Sequence, residues 1–320
     1  MLRNKSQIDV FINRVNYEMY LMFIGILSKI KLIFSIGLRK YCSIRFSKGS
    51  DSNKIGLVAI VKNEEAYIRE WIEYHKLIGI SHFYIYDNES SDDLKHTLSS
   101  YIKSGEVTYK YFPGKGMQEK AYLDCVKIAK KEVSWLVTLD IDEFLEPLTN
   151  ISLKEWLSSL SPDISQVELG WMVYGSGGHI DKPRGLVIEN YIKHAKDDFI
   201  TEYKPIVRPE RVIGMTFPHQ YKVAGKTIDE QKKRIWSYRR ADMKGARPAP
   251  RNLFRINHYY SKSLSEFFEK SNRGDASVPD RKPRNLEDFK KHDKNNILDL
   301  TMKKYVKKIK ENLSNRGSNG

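Results

Sequence analysis

Cysteine is almost missing from this chain of 320 residues, which has only Cys42 and Cys125. Two thiols build neither a disulfide framework nor a cysteine-rich metal knuckle, and a reducing compartment is the natural inference. Also lacking is an uninterrupted apolar run of about 18 residues, the length a membrane-spanning helix needs. The most apolar stretch, Tyr17 to Leu27 continued by Ile30 to Leu38, is broken by Glu18, Lys29 and Lys31. It makes a poor signal peptide too, because Asn13, Arg14, Asn16 and Glu18 precede a short apolar core with no small-residue cleavage site after it. What remains is an amphipathic or buried helix flanked by Arg14, Lys29, Lys31, Arg39 and Lys40. Such a segment suits either an anionic membrane face or the protein's own body. Acidic residues are outnumbered: 40 Asp and Glu against 55 Lys and Arg leave a net charge of +15. That excess attracts polyanions, whether nucleic acid, anionic lipid or phosphorylated substrate. Part of it crowds the end, at Lys303, Lys304, Lys307, Lys308 and Lys310. No recognised nucleic-acid module, internal repeat or low-complexity tract occurs.

What the chain does have is enough apolar residue, 40% of it, for a sizeable core, and an ordered alternation along its first half. Ile55 to Val61 reads as a buried parallel strand and runs into Lys62-Asn63-Glu64-Glu65. Ile68, Trp71, Ile72 and His75 recur at helical spacing up to Gly79. A strand over His82–Tyr86 follows, then Asp87-Asn88, with Ser91 or Asp92 able to cap a helix reaching towards Tyr101. A short strand (Val107 to Tyr111), a loop containing Lys115, a helix (Gln118 to about Lys130) and a strand (Trp135 to Leu139) complete the series. Strands alternating with helices predict a parallel, Rossmann-like sheet. Later come a helix opening near Ser152, a strand from Gln166 to Val173, a tight loop Gly175-Ser176-Gly177-Gly178-His179, and a basic helix over about 296 to 313. That glycine loop lacks the spacing of a dinucleotide fingerprint or a P-loop, and reads as a turn near the substrate.

The most informative stretch is Trp135-Leu136-Val137-Thr138-Leu139-Asp140-Ile141-Asp142-Glu143-Phe144. In an extended segment residues i and i+2 point the same way, so Asp140 and Asp142 can share a face at the carboxyl edge of a sheet, with Glu143 pointing away. Ligands of open α/β sheets bind at that edge. Hard carboxylate oxygens favour Mg²⁺ or Mn²⁺, which commonly carry part of a substrate's phosphate. The competing account is a strand that merely ends in acids.

Several ordered blocks make the pattern more specific. Val58 to Glu65, Ile68 to His75, Phe83 to Asn88 and Trp135 to Phe144 resemble GT-A glycosyltransferases of the family 2 type, most closely glycosyltransferase family 92. Tyr174 to His179, Lys204-Pro205-Ile206-Val207, Pro218-His219 and Ile256 to Ser263 with Phe267-Phe268-Glu269-Lys270 fit as well. The resemblance spans roughly 55 to 275. It implies a GT-A domain over 54–275; a helical N-terminal extension (1–53), open between a membrane face and the domain's own surface, precedes it, and a basic helical C-terminal tail (276–320) follows. It implies nucleotide contacts from Val61, Lys62, Asn63, Glu64 and Asp87, with Lys115 and Gln118 touching nucleotide or diphosphate. Asp142 becomes the expected ligand of Mn²⁺ or Mg²⁺, Asp140 a metal, ribose or metal-bound water contact, and His258 a further metal ligand. Lys204, Arg208 and Lys262 are candidates for the leaving diphosphate's charge, and Glu168, His179 or Asp181 for the base that inversion requires. The implied activity is a metal-dependent, inverting transfer from a UDP-sugar to a glycan or lipid-linked saccharide of a surface polysaccharide or lipopolysaccharide, and the expected location is cytoplasmic, either free or peripheral at the inner face of the cytoplasmic membrane. Two other classes compete. One is a basic α/β protein that binds nucleic acid; the other is a nucleotidyltransferase, disfavoured because no glycine-rich phosphate loop follows the first strand.

Overall fold

A computed structural model of the chain describes residues 2–199, 202–237, 246, 248–273 and 282–317. Two helices lead, α1 (Leu2–Ile36) and α2 (Leu38–Arg45), parted by Gly37 at φ 84°. The alternating half follows as β1 (Ile55–Val61), α3 (Glu65–Leu77), β2 (His82–Asp87), the short α4 (Leu94–Thr97) and α5 (Ser99–Lys103), β3 (Val107–Tyr111), α6 (Gln118–Glu132) and β4 (Trp135–Thr138). Then come β5 (Glu143–Pro147), α7 (Leu153–Ser158), β6 (Ile164–Val173), α8 (Val187–Asn190), β7 (Lys193–His194) and β8 (Tyr203–Val207). After them lie β9 (Val212–Phe217), β10 (Gln220–Val223), β11 (Lys226–Asp229), β12 (Arg234–Ile235) and β13 (Phe254–His258). The last elements are α9 (Leu264–Asn272), α10 (Leu286–His292), β14 (Ile297–Leu298) and α11 (Lys303–Gly317).

The main sheet runs β12-β11-β6-β8-β4-β1-β2-β3, with β13 bridging β5 and β6. It is parallel through β3-β2-β1-β4, as the alternation predicts, and β8 is inserted antiparallel between β4 and β6. Every residue of β1 is buried, because helices cover both sheet faces. Leu57, Ala59 and Val61 join Ile68, Trp71 and Ile72 of α3 in one core, whereas Val58 and Ile60 join Ala121, Tyr122 and Cys125 of α6 in the other. The strand's period of two thus sorts its side chains between two helices. The helix cap differs from expectation: Asp92 accepts the backbone N–H of Glu65 (2.9 Å) at the start of α3 as well as that of Leu94 (3.3 Å). Asp92 therefore ties the two loops at the sheet's carboxyl edge together.

Both ends of the chain depart from the sequence reading. The broken apolar stretch at the start forms one helix, and its part Ile12–Ile36 is long and apolar enough to cross a membrane, with a mean hydropathy of 1.8. Only Lys29 and Lys31 interrupt its most apolar portion, too few to offset the neighbouring side chains. Lys29 is satisfied by the protein, donating to the carbonyls of Val223 (2.6 Å) and Gly225 (3.0 Å). A Cβ on Gly25 would come within 2.1 Å of the Trp236 carbonyl oxygen, so α1 lies close against that segment. At the other end, α11 begins at Lys303, not near 296, and Leu298 belongs to β14. Met302 and Ile309 are buried. Arg316 pairs with Glu73 (2.9 Å), Asn312 donates to the same carboxylate (2.9 Å), and Arg69 donates to the Leu313 carbonyl (3.0 Å). These contacts make α11 part of the folded body and not a separable tail.

Candidate active site

The acidic stretch does not stay extended. β4 stops at Thr138 and the chain turns, Glu143 N donating to Asp140 O (3.0 Å), before β5 begins. The turn sends the two aspartates to different partners. Asp140 Oδ1 accepts from Gln118 Nε2 (3.1 Å) and Tyr122 OH (3.2 Å), both on α6, while Oδ2 takes Lys204 Nζ of β8 (2.8 Å). Asp142 Oδ2 meets His258 Nε2 of β13 (3.3 Å) and the Lys270 ammonium of α9. Glu143 does not point away: its Oε2 accepts Asp140 N (2.9 Å) and Lys204 Nζ (3.2 Å).

Charge is shared unequally in this group. Burial alone would raise both aspartates, but Lys204 holds Asp140 below the usual carboxylate range, and Lys270 with His258 holds Asp142 well below it. Burial pushes Glu143 well up despite Lys204, because ionised Asp140 and Asp142 stand beside it. Lys204 is raised by the same two acids that it bridges, Asp140 first. The closer contact, to Asp140, is the ion pair.

These groups border a cleft of about 480 Å³ at the carboxyl edge of the parallel strands. Val61 reaches it from the end of β1, Lys62 and Glu64 from the loop that follows, Asn88 and Glu89 from the loop after β2, Lys115 from the loop before α6 and Gln118 from that helix's first residue. Asp140, Asp142 and His258 line its floor. Among the lining residues to which the sequence reading gives no role are Trp171, His219, Lys270, Arg273 and Arg284. Trp171 stands between the two imidazoles, with ring centroids 5.1 Å from His219 and 4.3 Å from His258. His219 Nδ1 lies 3.0 Å from the Tyr203 carbonyl, which can only accept, so the ring is protonated there and Nε2 is left as an acceptor. Burial, then Lys204, pushes its pKa down to about 3, which keeps it neutral. Arg273 donates to the Asn63 carbonyl (2.7 Å) and pairs with Glu64, closing α9 onto the first loop.

Other expected residues are held elsewhere. Asn63 and Lys262 line an adjoining cavity. Asp87 serves the turn, accepting Ser90 N (2.9 Å) and Tyr109 OH (2.5 Å), and its neighbours Asn88 and Glu89 face the cleft. Arg208 is at the wrong end of β8: that strand runs antiparallel to β4, so Lys204 reaches the carboxylates while Arg208 stacks over Trp135 at the opposite edge, 4.4 Å from its ring. Glu168 is buried and accepts from Gln166 (3.1 Å) and Gln220 (3.0 Å), outside the cleft. His179 packs edge-on to Tyr191 and Asp181 is exposed; neither lines a cavity wall with the aspartates. The glycine loop anchors the C-terminal segment instead, Ser176 N donating to Asp293 (2.5 Å) and Gly177 N to Asn295 (2.7 Å).

Among the described residues no three His, Cys, Asp or Glu side chains group closely enough to form an all-protein metal site. Asp140 already takes three donors, one of them the Lys204 ammonium, and keeps room for about one further hydrogen bond, which leaves Asp142 and His258 as the converging pair. Two protein ligands with the rest of the shell from phosphate and water is how Mg²⁺ usually sits beside a nucleotide, so the donor set fits such an ion.

The model of a family described as Glycosyltransferase family 92 matches residues 58–297. A family 92 protein of Oryza sativa subsp. japonica is 30% identical over 154 residues, covering 47% of this chain and 26% of that protein. One of Arabidopsis thaliana is 27% identical over 177 residues, covering 51% and 30%. The chain thus spans under a third of either relative. Among solved structures, S. aureus TarS 1-349 matches with a TM-score of 0.31 at 16% identity, covering 49% of this chain and 47% of that one. Glucosyl-3-phosphoglycerate synthase from Mycobacterium tuberculosis matches with a TM-score of 0.30 at 17% identity, covering 53% and 62%.

Proposed function

The chain belongs to glycosyltransferase family 92, and on that premise we propose that it moves a sugar from a UDP-sugar to a glycan or lipid-linked saccharide with inversion. The observation that carries this is the Asp140–Asp142 turn opening into one cleft with the loop after β1. The loop residues Lys62 and Glu64 with Asn88 and Glu89 are placed for the nucleoside, and Gln118, Tyr122 and Lys204 fix Asp140 as an acceptor for ribose hydroxyls. Asp142 and His258 would hold Mn²⁺ or Mg²⁺, which supplies Lewis-acid neutralisation of the leaving diphosphate. Lys115, Lys270, Arg273 and Arg284 bring positive charge to the same leaving group. Thermal shift across nucleotide sugars, with and without Mn²⁺, tests the reading, since a donor that binds only the folded state raises Tm. A UDP-sugar is expected to raise Tm by several degrees in a Mn²⁺-dependent way. No response to any nucleotide sugar would refute it.

We place the enzyme at an anionic membrane surface. Met19, Phe23, Ile26, Ile30 and Phe34 of α1 form one exposed apolar stripe, with Phe34 84% exposed. Arg14, Lys31, Arg39 and Lys40 flank it, the arrangement of an interfacial helix. Flotation with vesicles should show stronger binding to anionic than to neutral lipid, lost on deleting the first 36 residues. Equal binding to both lipids would argue against the placement.

A further inference from the structure

Beside the donor cleft lies a second cavity of about 370 Å³, and Tyr260, Lys270 and Arg273 form the wall between them. Two ammonium groups meet the ring of Tyr67 there, Lys262 at 3.3 Å from its centroid and Lys182 at 4.2 Å. Lys182 is exposed and solvated. Lys262 is only 5% exposed, yet its ammonium forms no hydrogen bond or ion pair among the described residues. The nearest acids are paired with other groups, Glu64 with Arg273 and Asp142 with Lys270. Glu266 takes Tyr67 OH (2.5 Å), Ser263 Oγ (2.5 Å) and Tyr191 OH, and Asp92 caps two backbone N–H groups. The Lys262 backbone also sits at φ 47°, a left-handed conformation uncommon outside glycine. It directly precedes the capping box that opens α9 at Ser263. A buried cation whose contact is an aromatic face and no anion, and a strained backbone, are each unfavourable, and strain of this kind gathers at ligand sites.

We propose that this cavity is an acceptor subsite for an acidic group, a phosphate or carboxylate carried by the acceptor, with Lys262 as its charge partner. The proposal rests on the donor reading of the neighbouring cleft. The volume is near the lower end of ligand pockets, enough for one sugar-sized unit, and the shared wall puts that unit next to Asp142. Lys262, expected on the donor's diphosphate, then serves the second substrate.

Calorimetric titration of the full chain with inorganic phosphate, and separately with acetate, tests this, each run without and with saturating UDP and Mg²⁺. At least one of the two anions should bind whether or not UDP is present. Lys262→Met should weaken that anion about tenfold or more, as for loss of a charge-assisted hydrogen bond, and change UDP affinity by less than about twofold. Lys262→Arg should keep it. The methionine variant should melt within about 3 °C of the parent, because the face of Tyr67 is what its ammonium meets and no ion pair is lost. Competition between the anion and UDP, anion binding unchanged in Lys262→Met, a Tm of that variant lowered by more than about 5 °C, or no binding of either anion would each overturn the proposal. Failure of UDP alone to bind would instead refute the donor reading and leave the anion titration to judge the cavity.

Discussion

Lys204→Met is expected to be the most destabilising single substitution in the site, lowering Tm by on the order of 10 °C. Lys204 is 1% exposed and its ammonium bridges Asp140 (2.8 Å) and Glu143 (3.2 Å). Methionine matches the stem but leaves two carboxyls facing each other without a cation. Removing one partner of a buried ion pair typically costs about 3–5 kcal/mol, and in a chain of this size each kcal/mol shifts Tm by roughly 2–4 °C. The pH dependence has a definite sign. Asp140 is depressed by Lys204, so its pairing stabilises above the unfolded carboxylate pKa of about 4 and fades as pH falls through the folded value. The gap between parent and variant should therefore be widest near neutrality and narrow in acid. Adding Asp140→Asn to Lys204→Met should recover part of the loss, since the amide needs no counter-charge. A variant melting within a degree or two of the parent at pH 7 would show that the pair contributes nothing to the fold.

Lys204 also shows where sequence reading stops. The β1–β4 alternation was legible because each strand carries an apolar run with a period that two helices bury, and each ends in polar residues at one edge of the sheet. The acidic pair was legible as residue types but not as geometry. No glycine or proline marks the turn after Thr138, and Leu139 and Ile141 carry the apolar pattern through it, so an extended segment was the natural reading. Lys204 and Arg208 are equivalent in sequence, and only the antiparallel setting of β8 against β4 decides which one meets Asp140. Glu168 sits one strand further over, where the side-chain amides of Gln166 and Gln220 absorb its charge. Lys270 was visible only as the end of the Phe267-Phe268-Glu269-Lys270 block. Its role depends on α9 folding back over a carboxylate 128 residues earlier, and no local pattern encodes a contact of that range.

Asp142→Asn should leave the fold standing and remove nearly all transfer, roughly 10³-fold or more, the scale seen when a main electrostatic element of a site is lost. The amide is isosteric and can still bond His258, so secondary structure should be unchanged. What disappears is the anion on which Lys270 and His258 converge, and with it the only charged member of the pair fitted to hold a divalent cation. Two measurements separate this from a packing defect. EDTA should stop turnover by the parent enzyme and Mn²⁺ should restore it, whereas Mn²⁺ should not rescue the asparagine variant. Asp140→Asn should behave differently, weakening donor binding more than it slows turnover of bound donor, because Asp140 is held in place by Gln118, Tyr122 and Lys204 and acts through position. If Asp142→Asn retained transfer within about tenfold of the parent, the charge at Asp142 would not be what stabilises the leaving diphosphate. Lys270, released from its carboxylate and free to meet the phosphates directly, would then be the group to examine, with Lys270→Met as the deciding variant.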